Sequence, residues 1–284
     1  MTAVIRASGL AKRFGSTHAL KGLDFTIERG CITGLIGPNG AGKTTALKAI
    51  LGLTAYDGEL EVLGLDPYRQ RTELMKRVCF IADVAVLPRW LQVEQALDFI
   101  AATHPRFRRE RAVELLDKTD VTLRHKVKQL SKGMVTQLHL ALVMAIDAEL
   151  LVLDEPTLGL DILFRKNFYE ALLGDYFDEG KSILVTTHQV EEIERILTHV
   201  LFIDDGRLVL DESMDTVAEK YVEVLVNADQ SDAARAMGAL HEREVFGKHL
   251  FLFEGANRAE LQSLGETHTP GIADLFVAKM GKAA

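Results

Sequence analysis

Cysteine, tryptophan and proline are scarce: two, one and six respectively among 284 residues. Cys31 and Cys79 each sit inside a strand-like apolar run, so neither a disulfide framework nor a zinc site is expected, and a reducing cytoplasm fits. Long apolar stretches are missing as well. The best candidate, Leu138 to Leu153, is interrupted by Asp147 and Glu149, short of the ~18 apolar residues a membrane-spanning helix needs. Met1 to Leu10 carries Arg6 but no apolar centre of a secretory leader. Positive charge is not in excess either. A formal net charge of −8 argues against a large nucleic-acid footprint, which needs a basic face to neutralise phosphates. Any membrane association is therefore expected to run through a protein partner.

What remains is an ordinary globular composition, 48% hydrophobic and 26% charged, at a length that suits one large domain or one large and one small. Val4 to Ala7 and Leu23 to Ile27 predict an antiparallel start. Cys31 to Ile36 is a short buried-strand pattern that runs into a glycine-rich loop, and helical spacing follows in Thr45 to Leu51. The pattern is helical over Gln95 to Thr103, Arg109 to Lys118 and Lys132 to Ile146. Leu150 to Leu153 and Ser182 to Thr186 are continuous apolar runs of the kind a parallel sheet buries on both faces. Strands alternating with helices predict an α/β core with a helical insert. Past about Glu212, strand patterns at Tyr221 to Val226 and His249 to Phe253 mix with helical ones at Ser231 to Leu240, Ala256 to Leu264 and Ile272 to Met280. That mixture predicts a small C-terminal α+β appendage.

The loop Gly37-Pro38-Asn39-Gly40-Ala41-Gly42-Lys43-Thr44 matches the phosphate-binding P-loop pattern between a predicted strand and a predicted helix. Chance alone places that pattern in roughly 1 in 100 chains of this length. Glycines let successive N–H groups turn inward around phosphate oxygens, and the helix N-terminus adds its positive end. Asn39 to Thr45 is the expected nucleotide-binding stretch. Within it Lys43 neutralises the β- and γ-phosphates and the Thr44 hydroxyl ligates Mg²⁺. Leu150-Leu151-Val152-Leu153-Asp154-Glu155 supplies a second half: a buried strand delivering two carboxylates to the edge where α/β proteins place ligands. Asp154 is expected to hold Mg²⁺ and Glu155 to polarise the attacking water as general base. Strands ending in two solvated acids are common; the neighbouring P-loop is what gives this pair its functional sense. Thr186-Thr187-His188 closes another buried strand, placing His188 where it can contact the γ-phosphate or that water.

With these pieces in order, residues 3 to 212 resemble the ATP-binding cassette (ABC) family. Leu130-Ser131-Lys132-Gly133-Met134 is similar to its signature loop and Asp154-Glu155-Pro156-Thr157-Leu158-Gly159-Leu160-Asp161 to its extended acidic motif and D-loop. His188 resembles the switch histidine. Phe14 sits where the family places an adenine-stacking aromatic, though an early-strand Phe is equally a core residue. The resemblance implies a P-loop NTPase core, mostly parallel sheet plus an antiparallel β subdomain, at 1–212. A helical signature subdomain would occupy about 84–147, and 213–284 would form a small accessory domain. It also implies a composite site, in which Ser131, Gly133 and Asp161 of one subunit close on ATP held by another's P-loop. Two departures stand out. Asp83 occupies the position of a glutamine that touches Mg²⁺ and senses the membrane partner, and Lys132 replaces a signature glycine.

The implied activity is ATP hydrolysis powering a transmembrane permease, the cassette lying peripherally on the inner face of the cell membrane. One intact motif set per chain permits a homodimer. The tail ending Pro270 to Phe276 resembles those of bacterial ABC-2-type exporter ATPases, favouring export. Trp90, the only tryptophan, lies near where the family's membrane subunits dock, and packing within the subdomain is the alternative. A soluble cassette ATPase of translation or DNA repair is a different reading, but such members usually carry two cassettes, a coiled-coil insertion or a basic surface. A small-molecule phosphotransferase shares the P-loop and has no use for the Ser131–Gly133 loop.

Overall fold

A computed structural model describes residues 2–81, 87–157, 162–177, 180–187 and 190–281. The chain opens with β1 (Ala3–Phe14) antiparallel to β2 (Thr17–Glu28), then enters β3 (Ile32–Ile36), all five residues of which are buried. The helix Lys43–Ile50 follows, and β4 (Asp57–Val62) returns to pair with β1 in a three-stranded antiparallel sheet ordered β2–β1–β4. β5 (Val78–Ile81), β6 (Leu150–Asp154), β7 (Ser182–Thr187), β8 (His199–Asp204) and β9 (Arg207–Ser213) join β3 in the main sheet. Its order is β5–β6–β7–β3–β8–β9, parallel throughout except for the last pair.

The parallel strands read as apolar runs because both faces are covered. Alternation decides which residue goes where. Leu151, Leu153, Ile183 and Val185 join the core that also holds Phe168, Val190 and Ile193, while Leu150, Val152 and Leu184 face the P-loop helix and the antiparallel sheet. Register lines the strand ends up: Asp154 pairs with Thr186, and Ile36 with Thr187. Because β7 lies between β3 and β6, the loop leaving β3 and the acids ending β6 open on one edge, with the end of β7 between them.

Between β5 and β6, the helices Val93–Thr103, Arg109–Leu116 and Lys132–Met144 pack around their own cluster of Val93, Leu97, Ala112, Leu116, Leu138 and Leu142. At the amino edge of the main sheet Glu149 gathers three arginines. Arg77 binds it through two nitrogens at 2.8 and 2.9 Å, with Arg29 at 3.1 Å and Arg106 at 2.9 Å. That cage holds its carboxyl well below the usual range, at about 2.

After β9, β10 (Tyr221–Val226), β11 (His241–Val245), β12 (Lys248–Glu254) and β13 (Glu266–His268) form an antiparallel sheet ordered β11–β12–β10–β13. One face packs Val222, Val224, Phe251 and Phe253 against Ala234 and Leu261. The opposite face, with Tyr221 and Leu252, shares the main-sheet core with Ile272, Leu275 and Ala278 of the helix Ile272–Met280. Two further ties hold that helix down: its Ile272 N–H donates to Glu194 at 2.9 Å, and Phe276 meets Phe202 edge-on at 5.2 Å. Fully burying each such apolar side chain contributes about 1.5–3 kcal/mol, so the appendage is seated on the core as well as linked to it.

Candidate functional site

β3 runs directly into the P-loop, and close packing dictates its glycines. A Cβ on Gly37 would lie 2.2 Å from the Ile203 carbonyl oxygen. Gly42, at φ +112°, caps the helix Lys43–Ile50 and would meet the Ala19 carbonyl oxygen at 2.7 Å. Ala41 N–H closes the loop on Pro38 O at 3.1 Å, and Ala41 O accepts from Gly206 at 2.9 Å. Held this way, the loop lines a cavity of about 250 Å³ with Pro38, Asn39, Gly40, Gly42, Lys43, Thr44 and Thr45 from one side and Asp154 and Glu155 from the other. The two halves of the site, more than a hundred residues apart in sequence, thus line one cavity.

Lys43 is buried at the cavity floor, its ammonium donating to Gly37 O at 2.7 Å and Pro38 O at 3.1 Å. Burial lowers its pKa, opposed by the negative charges of Glu155 and Asp154. Asp154 ends β6 half-buried, and its Oδ1 accepts a hydrogen bond from the Thr186 hydroxyl at 2.6 Å. Glu155 is held at φ +49°, a left-handed conformation that costs an L residue about 1–2 kcal/mol. Its N–H is shared between Thr186 O at 3.1 Å and Thr186 Oγ1 at 3.2 Å. Strand-end strain beside charged groups in a cavity is where chemistry is commonly found.

Other residues singled out from the sequence lie apart. Phe14 is no core residue: it is 52% exposed, with the Lys12 ammonium 5.0 Å from its ring centroid, and does not line the cavity. Ser131 caps the helix Lys132–Met144 by accepting the Met134 N–H at 3.2 Å, and neither it nor buried Gly133 lines the cavity. The helix N-terminus they form offers anion-binding N–H groups on the surface of the helical insert. Asp83, Asp161 and His188 lie outside the described residues. Thr186 is the site residue the sequence did not single out; there it showed only as the end of an apolar strand. A larger cavity of about 440 Å³ beside Arg108, Arg111 and Lys181 is a poorer candidate. Its cations are already paired, Arg108 and Lys181 with Asp147 and Arg111 with Glu114.

Comparison with known proteins fits this geometry. The family model for ABC transporter matches residues 20–158. A daunorubicin resistance ATP-binding protein of Streptomyces coeruleorubidus is 34% identical over 244 residues, covering 82% of this chain and 77% of the relative. A Nod factor export ATP-binding protein of Ralstonia nicotianae is 34% identical over 290 residues, covering 95% of this chain and 89% of the relative. Among solved structures, an ATP-binding subunit of an ABC transporter superposes with a TM-score of 0.67 at 25% identity, over 76% of this chain and 92% of that one.

Proposed function

The chain belongs to the ABC transporter family, and from that premise we propose that it powers an exporter by closing as a homodimer over two ATP molecules beneath a permease. It is the ATP-binding, ATP-hydrolysing subunit of an ABC transporter, and a transmembrane permease is its partner. Residues 1–212 serve as the ATPase domain, with the helical subdomain at about 84–147, and 213–284 as an accessory domain. The observation that carries the residue assignment is the single cavity lined by the P-loop, Asp154 and Glu155.

In hydrolysis Lys43 exchanges its loop carbonyls for phosphate oxygens, and the P-loop N–H groups cradle the rest. Glu155 accepts a proton from the attacking water, which adds to the γ-phosphorus as the bond to ADP breaks. His188 would contact the γ-phosphate and Asp83 would help to hold the cation, as the family resemblance implies. Magnesium fits the donor set, because the Thr44 hydroxyl and the Asp154 carboxylate are hard oxygens lining the same cavity. A cation shared with nucleotide phosphates needs only one or two carboxylates from the protein, and when bound it neutralises charge on the transferring phosphoryl group.

The place of Ser131 and Gly133, capping a helix away from their own P-loop cavity, supports a composite site completed by a second copy with its Asp161. Phe14, exposed and backed by Lys12, is the adenine-stacking surface. Trp90, at 70% exposed, favours docking of the permease over packing in the subdomain. Among the described residues no helix is long and apolar enough to cross a membrane, so attachment to the inner face of the cell membrane runs through the permease. Export is supported by relatives named for Nod factor export and daunorubicin resistance. The net charge of −8 supports a permease over nucleic acid as the working partner.

Size-exclusion chromatography of Glu155→Gln with ATP and Mg²⁺ tests the composite site. The variant should bind ATP, stall before hydrolysis and elute as a dimer. A monomer at saturating ATP would contradict it.

A further inference from the structure

We infer that Thr186 is a positioning residue for hydrolysis, fixing Asp154 and Glu155 together from the neighbouring strand; this rests on the roles proposed above for those two carboxylates. Thr186 is fully buried in β7, directly opposite Asp154 in the parallel pairing of β6 with β7. A threonine hydroxyl has one proton to give and lone pairs to accept with. Here both are committed within the motif. The proton goes to Asp154 Oδ1 at 2.6 Å, and the Thr186 hydroxyl oxygen accepts the Glu155 N–H at 3.2 Å, an N–H that also reaches Thr186 O at 3.1 Å. The result is a directional chain from the Glu155 amide through the Thr186 hydroxyl to the Asp154 carboxylate. Each bond in such a chain polarises the next.

Two consequences follow. One oxygen of Asp154 accepts the Thr186 hydroxyl, which restrains rotation of a carboxylate that lines the cavity. The Glu155 amide is also anchored where φ is +49°, and this sets the direction in which its side chain leaves the strand.

Burial alone does not force this arrangement. Thr33, equally buried on β3 of the same sheet, keeps its hydroxyl without a hydrogen-bond partner. At position 186, by contrast, the hydroxyl joins the two acidic residues. Catalytic geometry is the property most sensitive to such a tie, because small misplacements of reacting groups are expensive in rate.

The test compares Thr186→Val, which keeps the shape and loses the hydroxyl, with Thr186→Ser, which keeps the hydroxyl, alongside Glu155→Gln. Steady-state ATPase kinetics, binding of a fluorescent ATP analogue without divalent cation, and thermal unfolding are measured on the full chain. Thr186→Val should lose about tenfold to hundredfold in kcat. Its KM for ATP should stay within about threefold of wild type, because the P-loop groups that hold the phosphates are left in place. Analogue binding and the unfolding midpoint should stay close to wild type, and Thr186→Ser should recover most of kcat. Wild-type turnover by Thr186→Val, with Glu155→Gln inactive, would overturn the inference and leave the role of Glu155 standing. Equal losses in both Thr186 variants, in step with their unfolding midpoints, would overturn it in favour of a purely structural role. Full hydrolysis by Glu155→Gln would instead remove the group that Thr186 is inferred to position.

Discussion

Glu155 and Phe246 share one unusual property and differ in almost every other. Both are non-glycine residues in the left-handed region, at φ +49° and +50°. Phe246, with Gly247 at φ +75°, makes the two-residue connection between β11 and β12, where Val245 pairs with Lys248. Positive φ at both central residues is the type I′ pattern, one of the two that match the strand twist in a hairpin this tight, so its strain has a local cause. The Phe246 ring is fully exposed and takes no part in a core. Glu155 closes no hairpin. It is held by a neighbouring strand through the Thr186 carbonyl and hydroxyl, half-buried in a cavity with Lys43 and Asp154. The same dihedral thus carries opposite meanings. Strain dictated by a turn can be engineered away, whereas strain sustained by tertiary hydrogen bonds among charged groups is of the kind that clusters at functional sites.

The largest effect expected on stability comes from the opposite end of β6, where tertiary ties serve the fold alone. Glu149→Gln removes the carboxylate that gathers Arg29, Arg77 and Arg106. At neutral pH this should cost about 2 kcal/mol after allowance for partial exposure, with kcat unchanged. The folded-state pKa is depressed from 4.5 to about 2, so the contribution is present above pH 4.5 and is lost as pH falls towards 2. Denaturant unfolding of wild type and Glu149→Gln should therefore converge as the pH drops through that window. A constant gap would mean that charge is not the cause.

Next in size is strain at Glu155 itself. Glu155→Gly should be more stable than Glu155→Ala by about 1 kcal/mol, because only glycine adopts positive φ freely, while both lose hydrolysis. That inverts the usual order in a strand, and alanine being the more stable would break the comparison at its root. The smallest effect belongs to the hairpin. Phe246→Asn should raise stability by about 0.5–1 kcal/mol, since asparagine suits this turn position, and leave ATPase kinetics alone. A fall in activity would show that Phe246 does more than close the turn.

Motifs that are contiguous and meet in the cavity were legible in the sequence, because a P-loop or an acidic pair needs only its own neighbours to be recognised. So were β3, β6 and β7, whose burial on both faces makes them unbroken apolar runs. Strands without that signal escaped. β4 reads Asp-Gly-Glu-Leu-Glu-Val with four exposed residues, β11 reads His-Glu-Arg-Glu-Val, and β13 has only three residues. The helical pattern from Ser231 to Leu240 overran the helix, which ends at Ala236. Gly238 at φ +77° turns the chain there, and Leu240 already pairs with Leu252. Thr186 was illegible for a different reason. Its part depends on which strand lies beside β6, a property of topology that no local pattern encodes.

The measurement that bears most directly on the central claim is ATP hydrolysis by purified Glu155→Gln, with ATP affinity determined on the same sample. If Glu155 is the general base held in place by its strained backbone, affinity stays within a few-fold of wild type and turnover falls by about 10²–10⁴. Wild-type turnover at unchanged affinity would contradict it, and the strain at the end of β6 would then need a purely structural cause.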